Sequence, residues 1–208
     1  MKRIVYLHGF NSSPASVKAQ LLGRAITALP DQDRPAYFVP QLDHRPREAM
    51  RAVCAWVDAE AAGESSSLTF VGSSLGGFYA TWLAERYSTK AVLINPAIRP
   101  DIDLAAYVGS QRNLYTGEAY ELRPEDVTEL ERFRVERSTQ PERYLLLVQT
   151  GDEVLDYRAA IGFYAGAWQL VQGGGDHGFQ DFAAQVPAVL RFAGVAADAA
   201  LPRRDAAG

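Results

Sequence analysis

Gly72-Ser73-Ser74-Leu75-Gly76 satisfies the spacing Gly-x-Ser-x-Gly, with Ser74 at its centre. A serine hydroxyl lifted on a tight turn between a strand and a helix is what acyl transfer requires, and glycines two places to either side let neighbouring backbone pass close to it. Gly and Ser are common, so the bare pattern arises by chance in about one chain of this length in fifteen. Context must therefore carry it. Leu68-Thr69-Phe70-Val71 before the pattern reads as a strand and Phe78 to Leu83 after it as a helix, which supplies the strand, turn and helix. A Walker-type phosphate loop is excluded because Phe78 stands where its lysine belongs. An ordinary tight turn with no chemistry is the bland alternative.

Serine attacks only when a base takes its proton, and the chain has three histidines. His177, in Gly173-Gly174-Gly175-Asp176-His177-Gly178-Phe179, follows the last strand-like run and precedes the last helix, where a base arriving after its acid in chain order belongs. His8, in Leu7-His8-Gly9-Phe10, is expected to brace the loop after the first strand; His44, beside Asp43 and Arg45, is expected to be solvent-exposed. The acid must hold the imidazole in its working tautomer. Asp152 is assigned because it lies nearest the end of the run Tyr144 to Val148, and ligands of open α/β sheets meet at the carboxyl ends of strands. Asp156 is placed to cap the next helix, and Asp176 points elsewhere unless its loop doubles back. The backbone N–H groups of Phe10 and Leu75 are the expected donors to a developing oxyanion.

These groups need a scaffold. Arg3–His8, Tyr37–Val39, Leu68–Gly72, Ala91–Asn95, Tyr144–Thr150 and Trp168–Gln172 read as strands. Helices are predicted from Ser13-Pro14 to about Ala28, from Pro46 toward Ala62, over Leu75–Tyr87 and over Asp181–Phe192. The alternation predicts an α/β fold with a mostly parallel sheet of about six strands and helices on both faces. Residues 1–194 are read as one domain. Between about 99 and 143 no good strand is visible, but Pro124, Val127, Leu130 and Phe133 have near-helical spacing, so this interval is read as a small cap insertion. Leu104, Tyr107, Leu114 and Tyr115 within it are expected to line an acyl pocket, with closure of a satellite core as the alternative. Residues 195–208, rich in Ala, Asp and Arg, are expected to form a flexible tail.

Composition excludes several classes. A net charge of −4 builds no strong field, so neither a nucleic-acid nor a membrane partner is expected. No apolar run approaches the roughly 18 residues of a membrane span, and only three residues precede the run at Ile4, so the expectation is a cytoplasmic protein. The single cysteine, Cys54, rules out a disulfide scaffold. The three histidines include no pair at i, i+4, so no metal and no cofactor are expected.

Four segments together carry a resemblance: Tyr6 to Pro14 (YLHGFNSSP), Gly72 to Gly77 (GSSLGG), Asn95 to Pro100 (NPAIRP) and Gln149 to Arg158 (QTGDEVLDYR). They closely resemble the YqiA-type small bacterial esterases of the α/β-hydrolase superfamily, from the first strand to about Phe192. The resemblance implies an α/β-hydrolase fold and a serine esterase in which Ser74, Asp152 and His177 occupy the triad positions. Its substrate would be a small-molecule carboxylic ester or acyl thioester, cleaved through an acyl-enzyme. A peptidase, lactonase or acyl-CoA thioesterase would share the machinery, and a binding protein could keep the fold without turnover.

Overall fold

Runs such as Tyr144 to Val148 are apolar at every position, and a strand of that kind is stable only when helices cover both of its faces. The computed structural model, which describes residues 1–60 and 67–195, has that arrangement. In chain order it runs β1 (Arg3–Leu7), α1 (Val17–Thr27), β2 (Ala36–Phe38), α2 (Pro46–Glu60), β3 (Leu68–Ser73), α3 (Leu75–Tyr87) and β4 (Lys90–Ile94). There follow α4 (Pro100–Asp103), β5 (Gly109–Arg112), β6 (Ala119–Leu122), α5 (Pro124–Glu129), β7 (Tyr144–Gln149), α6 (Tyr157–Phe163), β8 (Trp168–Gln172) and α7 (Phe182–Phe192). Six strands form one sheet in the order β2-β1-β3-β4-β7-β8, every neighbouring pair parallel.

Successive side chains of a strand point to opposite faces, which divides the core in two. Val5, Phe70, Leu93 and Leu146 pack with Val53 of α2 and Leu83 of α3 on one face. Ile4, Val71, Ile94 and Leu147 pack with Leu22 of α1 and Leu190 of α7 on the other. Truncating the leucines or isoleucines among these to alanine is expected to cost about 2–5 kcal/mol.

Three sequence expectations are corrected. The first helix starts at Val17, with Ser16 as its N-cap residue, because Ser13 is occupied in a turn: its Oγ accepts the Ala15 N–H at 3.1 Å and its carbonyl accepts the Ser16 N–H at 3.0 Å. The last helix starts at Phe182, after Asp181 in a left-handed conformation. Most consequential, the interval read as strandless contains the antiparallel pair β5 and β6. Its turn is built by Asn113, whose Oδ1 accepts the N–H groups of Tyr115 and Thr116, each at 2.9 Å. The helical spacing at 124–133 yields α5 followed by a 3₁₀ turn, Leu130–Phe133, with Val127, Leu130 and Phe133 buried. The expected end of α2 at Ala62 and the expected tail from residue 196 onward lie outside the described residues.

Candidate active site

Ser74 joins β3 to α3 with φ 55° and ψ −121°, a region costing an L-residue about 1–3 kcal/mol. Its neighbours hold it there. The Ser74 N–H donates to the Ile94 carbonyl at 3.0 Å, and the Ser74 carbonyl accepts from Gly77 at 2.9 Å and Ala97 at 3.1 Å. The flanking glycines are sterically required: a Cβ on Gly72 would strike the carbonyl of Gly76, and one on Gly76 the carbonyl of Leu7.

The loops after β7 and β8 are stitched together, with Gly151 N–H donating to Gly174 O at 2.8 Å and Gly174 N–H to Thr150 Oγ1 at 2.9 Å. That brings Asp152 to His177. His177 Nδ1 lies 3.0 and 2.9 Å from the two Asp152 carboxylate oxygens, and Nε2 lies 3.0 Å from Ser74 Oγ. The Asp152 side chain is only 2% exposed. Burial would raise its pKa, but the bond from His177 and those from the Leu155 and Val154 N–H groups outweigh burial and hold the carboxyl below its usual range. Asp156 instead caps α6, accepting the Arg158 N–H at 3.0 Å. Asp176 accepts from the Gln180 amide at 2.9 Å.

Two buried amides escaped sequence reasoning. Asn95, directly after β4, donates from Nδ2 to the carbonyls of Asp176 at 3.0 Å and His177 at 3.2 Å, while its Oδ1 accepts the Gln149 N–H at 3.0 Å. Gln149, the last residue of β7, accepts the N–H groups of Asp176 at 3.2 Å and Gln180 at 2.8 Å on Oε1. Together with Lys18, whose ammonium donates to Gly178 O at 2.7 Å, they fix the loop that carries His177. The available signal was an amide closing each of two apolar strands at the sheet edge where ligands meet.

His8 is buried, and its Nε2 accepts the Leu42 N–H at 3.1 Å. Its proton therefore sits on Nδ1, which donates to Gly9 O at 3.0 Å. Burial pushes the His8 pKa down, more than the Gly9 bond raises it. In a trans peptide C=O and N–H point oppositely, so anchoring the Gly9 carbonyl turns the Phe10 N–H away from His8. Gly9 runs against the serine: a Cβ there would lie 3.3 Å from Ser74 Cβ and 3.8 Å from its Oγ. Among the described residues the N–H groups of Phe10 and Leu75 donate to no protein acceptor.

A cavity of about 330 Å³ opens beside these two N–H groups, walled by Gly9, Phe10, Leu75 and Tyr79, by the loop 41–45, and by Asn113, Glu118 and Tyr120 of the hairpin. Leu104, Tyr107, Leu114 and Tyr115 do not line it. Leu104 packs on the core, Leu114 is 81% exposed, and Tyr107 and Tyr115 are also exposed. The reason is the hairpin's tether: Asn113 donates to Ser12 O at 2.7 Å, and Leu114 N–H to Asn11 O at 2.9 Å. This pins the start of the turn to the loop after β1 and leaves the turn's larger side chains outside. His44, expected in solvent, stacks on Tyr120 at 4.3 Å and 26° and joins the cavity wall. Among the described residues no three His, Cys, Asp or Glu side chains group as a metal site would, and no helix is long and apolar enough to cross a membrane.

A parallel six-stranded sheet in this order, with a Gly-flanked serine turn after the strand next to β1, has the α/β-hydrolase fold. Similar solved structures include Est1E from Butyrivibrio proteoclasticus with ferulic acid bound (TM-score 0.69, 19% identity, 92% of this chain and 88% of that one). Another is a monoacylglycerol lipase from Paleococcus ferrophilus (TM-score 0.63, 13% identity, 93% and 94% coverage). A curated relative, UPF0227 protein YE1706 from Yersinia enterocolitica serotype O:8 / biotype 1B, is 26% identical over 198 residues, 91% of this chain and 97% of that protein. Residues 3–194 match the Uncharacterised protein family (UPF0227), and the chain belongs to that family. It is the YqiA-like family to which the four motifs point.

Proposed function

We propose that the protein is a serine esterase that hydrolyses small carboxylic esters or acyl thioesters. The observation that carries this is the continuous line of contacts from Asp152 through His177 to Ser74, at 2.9 and 3.0 Å. His177 Nε2 takes the Ser74 proton as Oγ attacks the acyl carbonyl, and Asp152 holds the Nδ1–H and stabilises the imidazolium. The N–H groups of Phe10 and Leu75 receive the oxyanion. The imidazolium then protonates the departing alcohol or thiol, and water, activated by the same histidine, releases the acid from Ser74. Residues 1–194 act as the hydrolase domain, and the insertion at 99–143 acts as its cap. The names of the similar structures, a lipase and an esterase domain from Rhodothermus marinus among them, support the same class.

The test is labelling with a fluorophosphonate followed by peptide mapping, alongside Ser74→Ala and Ser73→Ala. Ser74 should carry the label, and Ser74→Ala should lose on the order of 10⁶ in turnover by analogy with the subtilisin nucleophile. A Ser74→Ala protein with normal turnover would overturn the assignment.

A further inference from the structure

Resting on that function, we infer that the acyl group this enzyme takes is short and neutral and carries an ether or hydroxyl oxygen in its chain, in place of a long alkyl chain. The cavity beside Phe10 and Leu75 has a mixed wall: Phe10, Leu75 and the Tyr79 ring offer apolar surface, and Asn11, His44 and Tyr120 offer polar groups. A methylene gains from burial only against apolar atoms, and against polar walls it displaces their water with nothing in return. A purely alkyl chain therefore matches only part of this wall, and a polar atom in the chain matches the rest.

The polar part of the wall also has unused hydrogen-bonding capacity. His44 Nδ1 faces Asp43 at 3.6 Å, and among the described residues neither His44 Nε2 nor Ser12 Oγ has a protein partner. Its other groups are already engaged: the Tyr120 hydroxyl donates to Asn11 Oδ1 at 2.6 Å, and Asn11 Nδ2 to Gln111 Oε1 at 3.0 Å. The wall is thus a hydrogen-bonded frame between the hairpin and the loop after β1, not a set of pliable alkyl chains.

Charge selects against anions. Arg45 grips Asp43 through two bonds of 2.9 and 2.7 Å and holds its pKa at about 2, so the guanidinium is spent on that carboxylate. Glu118, also in the wall, adds a further acidic group. A carboxylate or phosphate on the acyl chain would meet net negative charge there, whereas an ether or hydroxyl oxygen would not.

The experiment uses the full chain and four 4-nitrophenyl esters with one leaving group: hexanoate, 4-methoxybutanoate, decanoate and the glutarate monoester. Hexanoate and 4-methoxybutanoate have equal chain length and differ by one CH₂ replaced by oxygen. The expected kcat/KM is about five- to ten-fold higher for the methoxy ester, the size of one neutral hydrogen bond. Decanoate should fall below hexanoate, and the glutarate monoester at least about ten-fold below the methoxy ester. His44→Leu should bring the methoxy-to-hexanoate ratio close to one. A wild-type preference for hexanoate or decanoate, fast turnover of the glutarate ester, or an unchanged ratio in His44→Leu would each overturn the inference. Ser74→Ala separates the two levels: if it is inactive while wild type prefers decanoate, only the acyl class is wrong, whereas a fully active Ser74→Ala removes the esterase itself.

Discussion

Replacing Asn95 by alanine strikes the loop that holds His177 without touching any group proposed to meet substrate. Asn95 is 2% exposed and has φ 40°. The alanine leaves the buried Gln149 N–H without its acceptor, a loss of about 1–3 kcal/mol. It also keeps a side chain in the left-handed region without the local hydrogen bonding that makes asparagine tolerable there, which adds about 1–2 kcal/mol. The total is roughly 2–5 kcal/mol, and at about 2–4 °C per kcal/mol for a domain of this size the melting temperature should fall by roughly 4–20 °C. Asn95→Gly relieves the backbone penalty of about 1–2 kcal/mol and should melt about 2–8 °C higher than Asn95→Ala. The functional loss should be the same in both, because each removes the donors to the Asp176 and His177 carbonyls. A displacement of His177 by about 1 Å costs on the order of 10² in kcat. Thermal melts and steady-state kinetics with a 4-nitrophenyl ester, run well below both melting points, measure the two effects separately, and KM should change less than kcat. Wild-type kcat in Asn95→Gly, or an alanine variant that melts no lower than the glycine one, would refute this account of the loop.

Further outcomes follow from other contacts. Asp152→Asn should fold and lose about 10⁴ in turnover if trypsin-type behaviour transfers, whereas Asp156→Asn should keep full turnover; equal damage in the two would move the acid. Gly9→Ala places a methyl 3.3 Å from both Ser73 O and Ser74 Cβ, so kcat should drop about ten-fold or more while the melting temperature barely moves; unchanged kcat would mean that the loop yields easily. His8 is buried with its pKa below the usual histidine value, so below pH about 6.5 the unfolded chain binds a proton that the folded one refuses. Stability is lost as pH falls through that window. Melts from pH 7.5 to 5 should therefore narrow the gap between wild type and His8→Asn, and parallel curves would count against a neutral buried imidazole.

How much was legible depended on whether a residue's role is set by its neighbours in sequence. β7 announced itself through an unbroken apolar run, β3 through the β-rich segment before the Gly-x-Ser-x-Gly turn, and α3 was bounded correctly because a glycine-rich turn precedes it and periodic apolar residues fill it. Ser74, Asp152 and His177 could be placed because each directly follows a recognisable strand or turn, and the sheet brings such ends together. The β5–β6 hairpin was not legible: Gly109–Arg112 and Ala119–Leu122 carry mostly polar side chains, and what orders them is an asparagine-built turn tied to Ser12 and Asn11. His44 looked solvated beside Asp43 and Arg45 for the same reason, since the Tyr120 ring that covers it belongs to that hairpin. Asn95 and Gln149 act on a loop far along the chain, and no local pattern reports such a partner.

The order in which the site is made differs from the order in which it works. Ser74 and its turn lie in the first half of the chain, yet His177, which faces Ser74, follows β8, the last strand in the chain and an edge of the sheet. A nascent chain therefore holds an elbow with no imidazole beside it until β8 docks on β7 and α7 closes over the α1 face. The packing of α7 on α1 joins segments far apart in sequence, and such contacts form slowly. On refolding, helix content and burial of the central strands should return first, and reaction with a fluorophosphonate should appear only with the final docking event, so that catalytic competence becomes a clock for completion of the fold.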